Sequence, residues 1–300
     1  MSDLKRVKVP FAVLACLVLA GCASSTSKTG GPTGGPTPEP GTPTPEVPAP
    51  KTGGVIYQPL RDASYALERH DSLNLQLPGG ASQLQLIDRT AFLRVMLVSD
   101  TAGYQVAIVL DSLRAAVGGV PTVPDSILPA RGTRWTATMT REGKLSALKA
   151  DRSSTLGDQV GGNLRSLFPT LPVGGVKAGE QWTDTTEVPI RADAFDATER
   201  ALTNYRATDS DDPRAKKAIK LESSGTYERT GKGTQYDQQM EMTASGTRTA
   251  IHYLNPDGSL ASAHGTDSGD LTITIPAVGQ SVPVKQSGAY SITLLRPARR

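Results

Sequence analysis

The fold of this chain is decided by residues 72–86, which read S-L-N-L-Q-L-P-G-G-A-S-Q-L-Q-L. Leucine occupies every second position on both sides of Pro78-Gly79-Gly80. A period of two is typical of β-strands that bury one face. Proline and glycine are the residues that tight turns require. The stretch therefore predicts two antiparallel strands joined by a hairpin.

The same alternation recurs around Trp135 and Leu271, and turn residues stand at 141–144, 255–258 and 278–280. These positions predict further hairpins, so that neighbouring strands are mostly antiparallel. The sequence predicts a mainly β protein with one large, curved antiparallel sheet of about ten strands, an unclosed β-barrel.

Two apolar runs, 91–99 and 104–113, are denser in Val, Ile and Leu than the other strands. Such runs are typical of strands in the middle of a sheet with both faces covered. We therefore expect these two strands to be buried on both sides.

One segment departs from the period of two, because its apolar residues from Leu156 to Phe168 recur at helical spacing. Thr155 with Asp158 three residues later resembles a helix start, and Pro169 ends the pattern. Several glycines weaken this helix, so it must be stabilised by packing on the sheet. We predict one packed α-helix near residues 155–168.

The N-terminal residues predict an export signal, because a short basic head precedes ten apolar residues, 11–20. Leu19-Ala20-Gly21-Cys22 follows and resembles the lipobox of bacterial lipoproteins. The resemblance implies cleavage before Cys22, lipidation of Cys22 and no disulfide in the mature chain, since the only other cysteine is Cys16. The same resemblance gives a location, because the residue after the lipidated cysteine influences where bacterial lipoproteins are retained. Ala23 at this position implies the outer membrane, or the outer face of the cell membrane in a bacterium with one membrane.

These observations divide the chain into three parts. Residues 1–21 are a cleaved signal peptide, and residues 22–54 are the lipidated cysteine followed by a disordered stalk rich in Pro, Thr and Gly. Extended proline-rich chain of this length reaches up to about 90 Å from a membrane. Residues 55–300 are expected to form a single antiparallel β domain.

A second resemblance lies in residues 168–182, where a helix end and a proline turn precede Val176-Lys177-Ala178-Gly179-Glu180-Gln181-Trp182. This pattern is similar to one in uncharacterised bacterial lipoproteins. Its prolines end the helix, Gly179 allows a tight turn, and Trp182 anchors the start of a strand. Together with the many strands and the anchor, it resembles the LolA-like unclosed β-barrel. The resemblance implies binding of acyl chains or of another hydrophobic molecule.

Charge excludes one class of partner. Removal of the signal leaves 29 basic and 28 acidic residues of the 32 and 29 in the whole chain. A protein that binds nucleic acid needs a concentrated basic surface, so we expect no nucleic-acid partner.

Few residues have the pattern of a catalytic or metal site. His264–Asp270 could supply metal ligands but is more typical of a hairpin loop, and Asp209–Asp212 is more typical of an acidic turn than of a calcium loop. Ser146 and Lys149 match a Ser-x-x-Lys motif without its expected context. No phosphate loop or dinucleotide pattern occurs, so the sequence predicts no cofactor, no metal and no catalytic residue. An enzyme would need His252 or His264 to meet a carboxylate and a nucleophile in one cleft.

The sequence leaves two functions open. The first is a membrane-anchored, non-enzymatic envelope lipoprotein whose β domain binds a lipid-like hydrophobic ligand or an envelope protein partner. The second is a scaffolding module whose sheet is fully packed and has no ligand cavity. In the first case the candidate cavity-lining residues, which would otherwise be core, are Phe92, Val95, Leu97, Val106, Ile108 and Leu110.

Overall fold

The structure is a computed structural model and describes residues 54–77, 79–101, 103–192, 195–213, 215, 217–235 and 238–296. The predicted signal peptide, Cys22 and the stalk up to residue 53 lie outside the described residues. Their assignment therefore stays a prediction from the sequence.

The described residues form twelve β-strands, and every strand pair is antiparallel. The strands are β1 Leu60–Gln76, β2 Ser82–Asp100, β3 Gly103–Val117, β4 Val120–Pro121, β5 Arg134–Met139, β6 Lys149–Ala150, β7 Gln181–Ala192, β8 Phe195–Asp209, β9 Ile219–Gln235, β10 Gln238–Leu254, β11 Leu260–Ile275 and β12 Gln280–Arg296.

All twelve strands belong to one sheet, ordered β6-β5-β3-β2-β1-β12-β11-β10-β9-β8-β7, with β4 paired to β3. The first and last strands are neighbours in the middle of the sheet, and β6 and β7 are its two edges. The sheet is not closed into a barrel. The predicted mainly β, antiparallel, unclosed fold is confirmed, and the two strands beyond the expected ten, β4 and β6, have two residues each.

The chain passes from edge strand β6 to edge strand β7 through the predicted helix. A short helix, α1, covers Pro124–Ile127 earlier in the chain; α2 covers Thr155–Gly161 and continues as a 3-10 helix, Leu164–Leu167. Ser154 caps α2, since its hydroxyl accepts a hydrogen bond of 3.2 Å from Gly157 N. The prediction of one packed helix near 155–168 is confirmed.

The inward face of the sheet carries two hydrophobic clusters. The upper core joins strands β1, β2, β3, β5 and β8–β12 to the helix and includes Leu93, Ile108, Trp135 and Leu164. The lower core joins β1 and β2 to β7, β8 and β10–β12 and consists of Leu73, Leu75, Ile87, Ile190, Ala197, Met240, Met242, Ala244, Leu271, Ile273, Ile275, Val282 and Val284. Because β1 and β7 lie far apart in the strand order, the sheet must curl strongly to bring their side chains together.

The expectation that β2 and β3 are buried on both faces is wrong for β2. Its inward residues Leu93, Val95 and Leu97 are buried, but Arg94 and Val98, in the outward phase, are exposed. The helix covers only the inward face, and no described element covers β2 on the outer side. The dense apolar run therefore reflects one buried face and a partly exposed outer face.

Candidate functional site

Polar side chains cross the inward face between the upper and lower cores, where the alternation of a buried strand face would place apolar residues. We call this set the polar belt, and it consists of Arg69, Asp71, Arg89, Glu199, Tyr227, Arg229, Arg248, Asp267 and Gln286. The strands impose this arrangement. In β1, for example, Arg69 and Asp71 occupy the same inward phase as Leu67 above and Leu73 below.

One half of the belt joins β1, β2 and β11. Arg69 donates from Nε to Asp71 Oδ1 at 2.8 Å and from Nη2 to both oxygens of Asp267 at 2.8 and 3.1 Å. Arg89 donates from Nη2 to Asp71 Oδ2 and from Nη1 to Gln159 Oε1 at 3.0 Å. Gln159 lies on α2, so this half of the belt ties the helix to the sheet.

The other half of the belt is centred on Glu199 of β8. Arg229 donates to Glu199 Oε2 from Nε at 3.2 Å and from Nη2 at 2.6 Å. Arg248 donates from Nη1 to Oε1 at 2.6 Å and from Nη2 to Oε2 at 2.8 Å, a bidentate pair. The Arg248 guanidinium carbon lies 4.2 Å from the ring centre of Tyr227, whose hydroxyl accepts a hydrogen bond of 2.6 Å from Gln286.

Glycines in the strands make room for these large side chains. A Cβ added to Gly246 would lie 2.7 Å from the Tyr227 hydroxyl oxygen, and one added to Gly269 would lie 2.6 Å from the same atom. A Cβ on Gly288 would collide with the guanidinium of Arg69. Gly246 and Gly269 are directly paired across β10 and β11, so the Tyr227 ring rests on a patch of bare backbone.

The belt remains charged at neutral pH. Burial by itself would raise the pKa of Glu199, but the hydrogen bonds and positive charges of Arg248 and Arg229 outweigh it and lower that pKa to about 2. Burial, followed by the nearby charge of Arg69, lowers the pKa of Arg89 to about 10. Both groups are therefore ionised in the interior of the molecule.

A cleft of about 540 Å³ opens over the belt, a volume typical of sites for small ligands. The belt residues form its floor. Its other walls come from the segment 143–147, from the end of the helical region at 159–170 and from β7 residues 184–189. Apolar groups lie among the polar ones, notably Leu73, Phe168 and Val188. The cleft therefore offers fixed charges next to apolar surface.

His252 of β10 forms part of the upper wall of the cleft. It is buried, and burial lowers its pKa to about 4, although a hydrogen bond with the Ser166 backbone acts in the opposite direction. Its Nδ1 atom has no hydrogen-bond partner among the described residues. His252 is therefore a neutral imidazole in the wall of the cleft at physiological pH.

The candidate ligand residues from the sequence lie elsewhere. Val95, Leu97, Val106, Ile108 and Leu110 are buried together in the upper core. Phe92 lies on the opposite, outer face of β2 and is half-buried. The cleft lining contains none of these six residues among the described part of the chain. Ligand binding by these six residues stays a prediction. The polar belt was not predicted from the sequence.

The remaining candidates are dispersed. His264–Asp270 lies within strand β11, so its interpretation as a hairpin loop is wrong. Its two glycines serve close packing instead, since Gly265 lies under the ring of Tyr290. His264 and Asp270 point to the outer face, whereas Asp267 joins the belt. Within the described residues, three or more His, Cys, Asp or Glu side chains do not converge as they would around a metal ion.

The histidines and the Ser-x-x-Lys match also stay apart. His252 is paired with Ala263 and Ile251 with His264 across β10 and β11, so the two histidines face opposite sides of the sheet. The hydroxyl of Ser146 accepts a hydrogen bond of 2.9 Å from Thr138 N in an extended segment, not at a helix start.

The pattern at residues 168–182 forms the structure expected from its residues. The indole of Trp182 donates to Thr170 O at 3.0 Å and stacks on Tyr205 with ring centres 5.0 Å apart. Gly179 adopts a positive φ of 91° just before β7 begins at Gln181. This packing fixes the chain between the helix and the edge strand, and it holds one wall of the cleft in place.

Comparison with known proteins adds little to this description. No protein-family model matches the chain, and no curated protein matches it. The solved structures that match include two distantly similar proteins. One is DynF from the dynemicin biosynthesis pathway of Micromonospora chersina, at 13% identity and a TM-score of 0.25 over 88% of this chain and 94% of that one. The other is Neisserial surface protein A, at 9% identity and a TM-score of 0.22 over 77% and 97%.

These similarities are too weak to support an argument about function. The described part of the chain also contains no helix with the length and hydrophobicity needed to cross a membrane. The polar belt and its cleft are thus the features from which a function must be argued.

Proposed function

We propose that this protein is a lipid-anchored, non-enzymatic binding protein of the bacterial cell envelope, with its ligand in the cleft over the polar belt. The anchor is Cys22, and the outer membrane is the proposed location, or the outer face of the cell membrane where only one membrane exists. The ligand is lipid-like in having an apolar part. The single observation that carries the proposal is the charged cleft on the inward face of the sheet.

The energetics of the belt support binding over a purely structural role. Burying an ion pair costs several kcal/mol per ion before any gain, and apolar side chains of similar size are often as stabilising or more so. The upper and lower cores are built from such apolar side chains, so the same sheet had this solution available. A scaffold has no need for four arginines and three acidic side chains between two hydrophobic cores.

The anchor and stalk fit a binding role in the envelope. In the sequence, the lipobox-like residues are followed by a segment rich in proline, threonine and glycine. Val55 N and O exchange hydrogen bonds of 2.8 and 3.0 Å with Val176, beside the helical segment that borders the cleft. The stalk would thus present the cleft at a distance from the membrane surface.

A direct test is native mass spectrometry of protein that has matured in a bacterial envelope. A protease site introduced within residues 30–50 releases the folded part without detergent, and lipid extraction of the same sample identifies any small molecule. We expect a stoichiometric passenger of a few hundred daltons. A bare mass, together with a protein partner recovered by crosslinking, would instead favour the scaffold.

The anchor is tested separately by fractionation of the full chain and of the Cys22→Ala variant. We expect the full chain to stay with the membrane after a salt wash and its mass to include acyl chains. The variant should carry no acyl mass. An unmodified Cys22 in the membrane fraction of the parent protein contradicts the anchor.

A further inference from the structure

We infer that the ligand of this cleft carries a carboxylate or phosphate group, and that Arg248 of the polar belt binds it. The inference rests on the proposed function, because it names the chemical class of the ligand in the same cleft. It is argued from the charge balance of the belt, the exposure of its arginines, and the apolar surface beside them.

The belt has an excess of positive charge and of hydrogen-bond donors. It contains four arginines and only three acids, Asp71, Glu199 and Asp267. The four guanidinium groups together have about 20 N–H donors, whereas the three carboxylates have about 12 acceptor sites. Glu199 alone already accepts four of these bonds. An additional acceptor, preferably an anion, is the group that such a surface binds best.

The unsatisfied part of the belt consists of donors. Arg89 is buried in the cleft floor, and its Nε–H has no acceptor among the described residues. Its other nitrogens are directed to Asp71 and Gln159. The buried Nε–H leaves the positive charge of Arg89 incompletely compensated, and an anionic group above the belt compensates that charge through space, whereas a second cation does not.

Arg248 is the belt arginine that a ligand reaches. Its side chain is 42% exposed, whereas those of Arg69 and Arg229 are 15% and 13% exposed. Its guanidinium is held in one plane by the Tyr227 ring below and by the bidentate contact with Glu199. A planar guanidinium with a fixed orientation is suited to carboxylate and phosphate oxygens, which it binds through two parallel hydrogen bonds.

Glu199 sets the strength of this site. Its carboxylate already occupies one edge of Arg248, so an incoming anion shares the guanidinium with it and is repelled by its charge. Neutralising Glu199 should therefore strengthen anion binding. Tighter anion binding after this change would indicate anion recognition. A general disturbance of the belt would instead weaken the binding of every ligand.

The ligand also has an apolar part. Leu73, Phe168, Val188 and Pro189 line the same cleft, adjacent to the belt. Hydrophobic contact with these residues adds affinity in proportion to the area buried. The class of ligand is therefore a small amphipathic acid. A free acid and the headgroup end of a lipid share the anionic group that Arg248 is proposed to recognise.

The test uses the full chain in phosphatidylcholine nanodiscs, with empty nanodiscs subtracted, and isothermal titration with three probes. The probes are hexyl phosphate, inorganic phosphate and 1-hexanol. We expect hexyl phosphate to bind at least about tenfold more tightly than hexanol, as one charge-assisted hydrogen bond implies. If inorganic phosphate binds as well as hexyl phosphate, the ligand is a free anion; if hexyl phosphate is clearly tighter, it is amphipathic. Equal affinity for hexyl phosphate and hexanol overturns the inference.

Variants assign the effect to Arg248. Arg248→Gln should lose at least about tenfold in hexyl phosphate affinity and leave hexanol unchanged. The matched control is Arg94→Gln, since Arg94 is also ion-paired and its side chain is 44% exposed, but it lies on the outer face. Glu199→Gln should bind hexyl phosphate more tightly. If Arg248→Gln does not fold, Arg248→Lys is the alternative. It keeps the charge but cannot form the bidentate hydrogen bonds, so its affinity for hexyl phosphate should still be lower.

The two proposals fail in different ways. A stoichiometric neutral passenger, with equal binding of hexyl phosphate and hexanol, refutes the anionic ligand and leaves the binding function intact. No passenger and no binding of any probe refutes both. Equal losses in Arg248→Gln and Arg94→Gln refute the assignment to Arg248.

Discussion

Protonation of Glu199 should remove a measurable part of the stability of this fold. Its carboxylate accepts four hydrogen bonds from Arg229 and Arg248, and its pKa is lowered from 4.5 to about 2. A pKa difference of one corresponds to about 1.4 kcal/mol. The folded state is therefore stabilised by about 3 kcal/mol through the ionised form of Glu199.

The direction of the pH dependence follows from the lowered pKa. Above pH 4.5 the side chain is ionised in both the folded and the unfolded states, so the full stabilisation is present. As the pH falls from 4.5 to 2, the unfolded chain takes up a proton before the folded one does, and the stabilisation is lost. For a chain of this size, 3 kcal/mol corresponds to a fall in Tm of about 6–12 °C.

The assay is urea unfolding at several pH values between 7 and 2, for the wild type and for Glu199→Gln. We expect the variant to be about 3 kcal/mol less stable at pH 7 and to differ by less than about 1 kcal/mol at pH 2. Glu187→Gln is the control, because Glu187 pairs with Arg200 at 3.0 Å on the exposed surface. Exposed pairs contribute about 0–1 kcal/mol.

Two results would refute this reasoning. One is a Glu199→Gln curve parallel to that of the wild type between pH 4.5 and 2, which would mean that the ionised carboxylate contributes nothing specific. The other is an equal change in Glu187→Gln, which would assign the effect to the overall charge and not to the belt.

Three further predictions concern packing and burial. Gly246→Ala should lower the free energy of unfolding by about 1–3 kcal/mol in urea, because its Cβ would clash with the backbone carbonyl oxygen of Ser268 and lie 2.7 Å from the Tyr227 hydroxyl; an unchanged midpoint would show that both the neighbouring strand and the ring move aside easily. Trp182→Phe should lower the free energy of unfolding by about 1 kcal/mol, because the hydrogen bond to Thr170 O is lost. A larger decrease, measured by thermal unfolding, would indicate that the stacked indole ring is the main contribution. His252 should titrate by NMR near pH 4, and its burial should reduce stability as the pH falls from 6.5 towards 4; a midpoint near 6.5 contradicts its burial.

The architecture was accessible from the sequence because its signals are local. Alternating leucines and turn residues specify hairpins between neighbours in the chain, as at residues 72–86, and the apolar spacing at 155–168 specifies the helix. The expected burial of one leucine face is confirmed for Leu73 and Leu75 but wrong for Leu84 and Leu86, which are 62% and 46% exposed. Strands β4 and β6 were missed because two residues have no periodicity. The prediction that both faces of β2 are buried is wrong because the hydrophobicity of a run does not show which faces are covered: the outward phase contains the charged Arg94, and Val98 in the same phase is exposed.

The polar belt was missed because its members meet only through the fold. Arg69 and Asp267 are 198 residues apart, and Arg248 and Glu199 are 49 apart. No spacing along the chain indicates such contacts. One local signal was present, however: Arg69 and Asp71 stand in the inward phase of β1, between Leu67 and Leu73. Charged residues in the buried phase of a strand are uncommon, and they could have directed attention to this level of the sheet.

The glycines of the belt strengthen the case that this level of the sheet is specialised. Gly246 and Gly269 lie in the middle of long strands, where glycine is unfavourable by roughly 0.5–1 kcal/mol relative to alanine. At the neighbouring inward positions the same strands carry Ala244 and Leu271, which pack in the lower core. Two features that are each unfavourable for stability, glycine inside a strand and charged side chains next to a hydrophobic core, therefore occur at the same level of the sheet. Apolar packing does not require the charges. The glycines are required by the close approach of β10 and β11, since a Cβ on either one would clash with a carbonyl oxygen of the opposite strand, and their bare backbone also leaves room for the Tyr227 ring beneath Arg248.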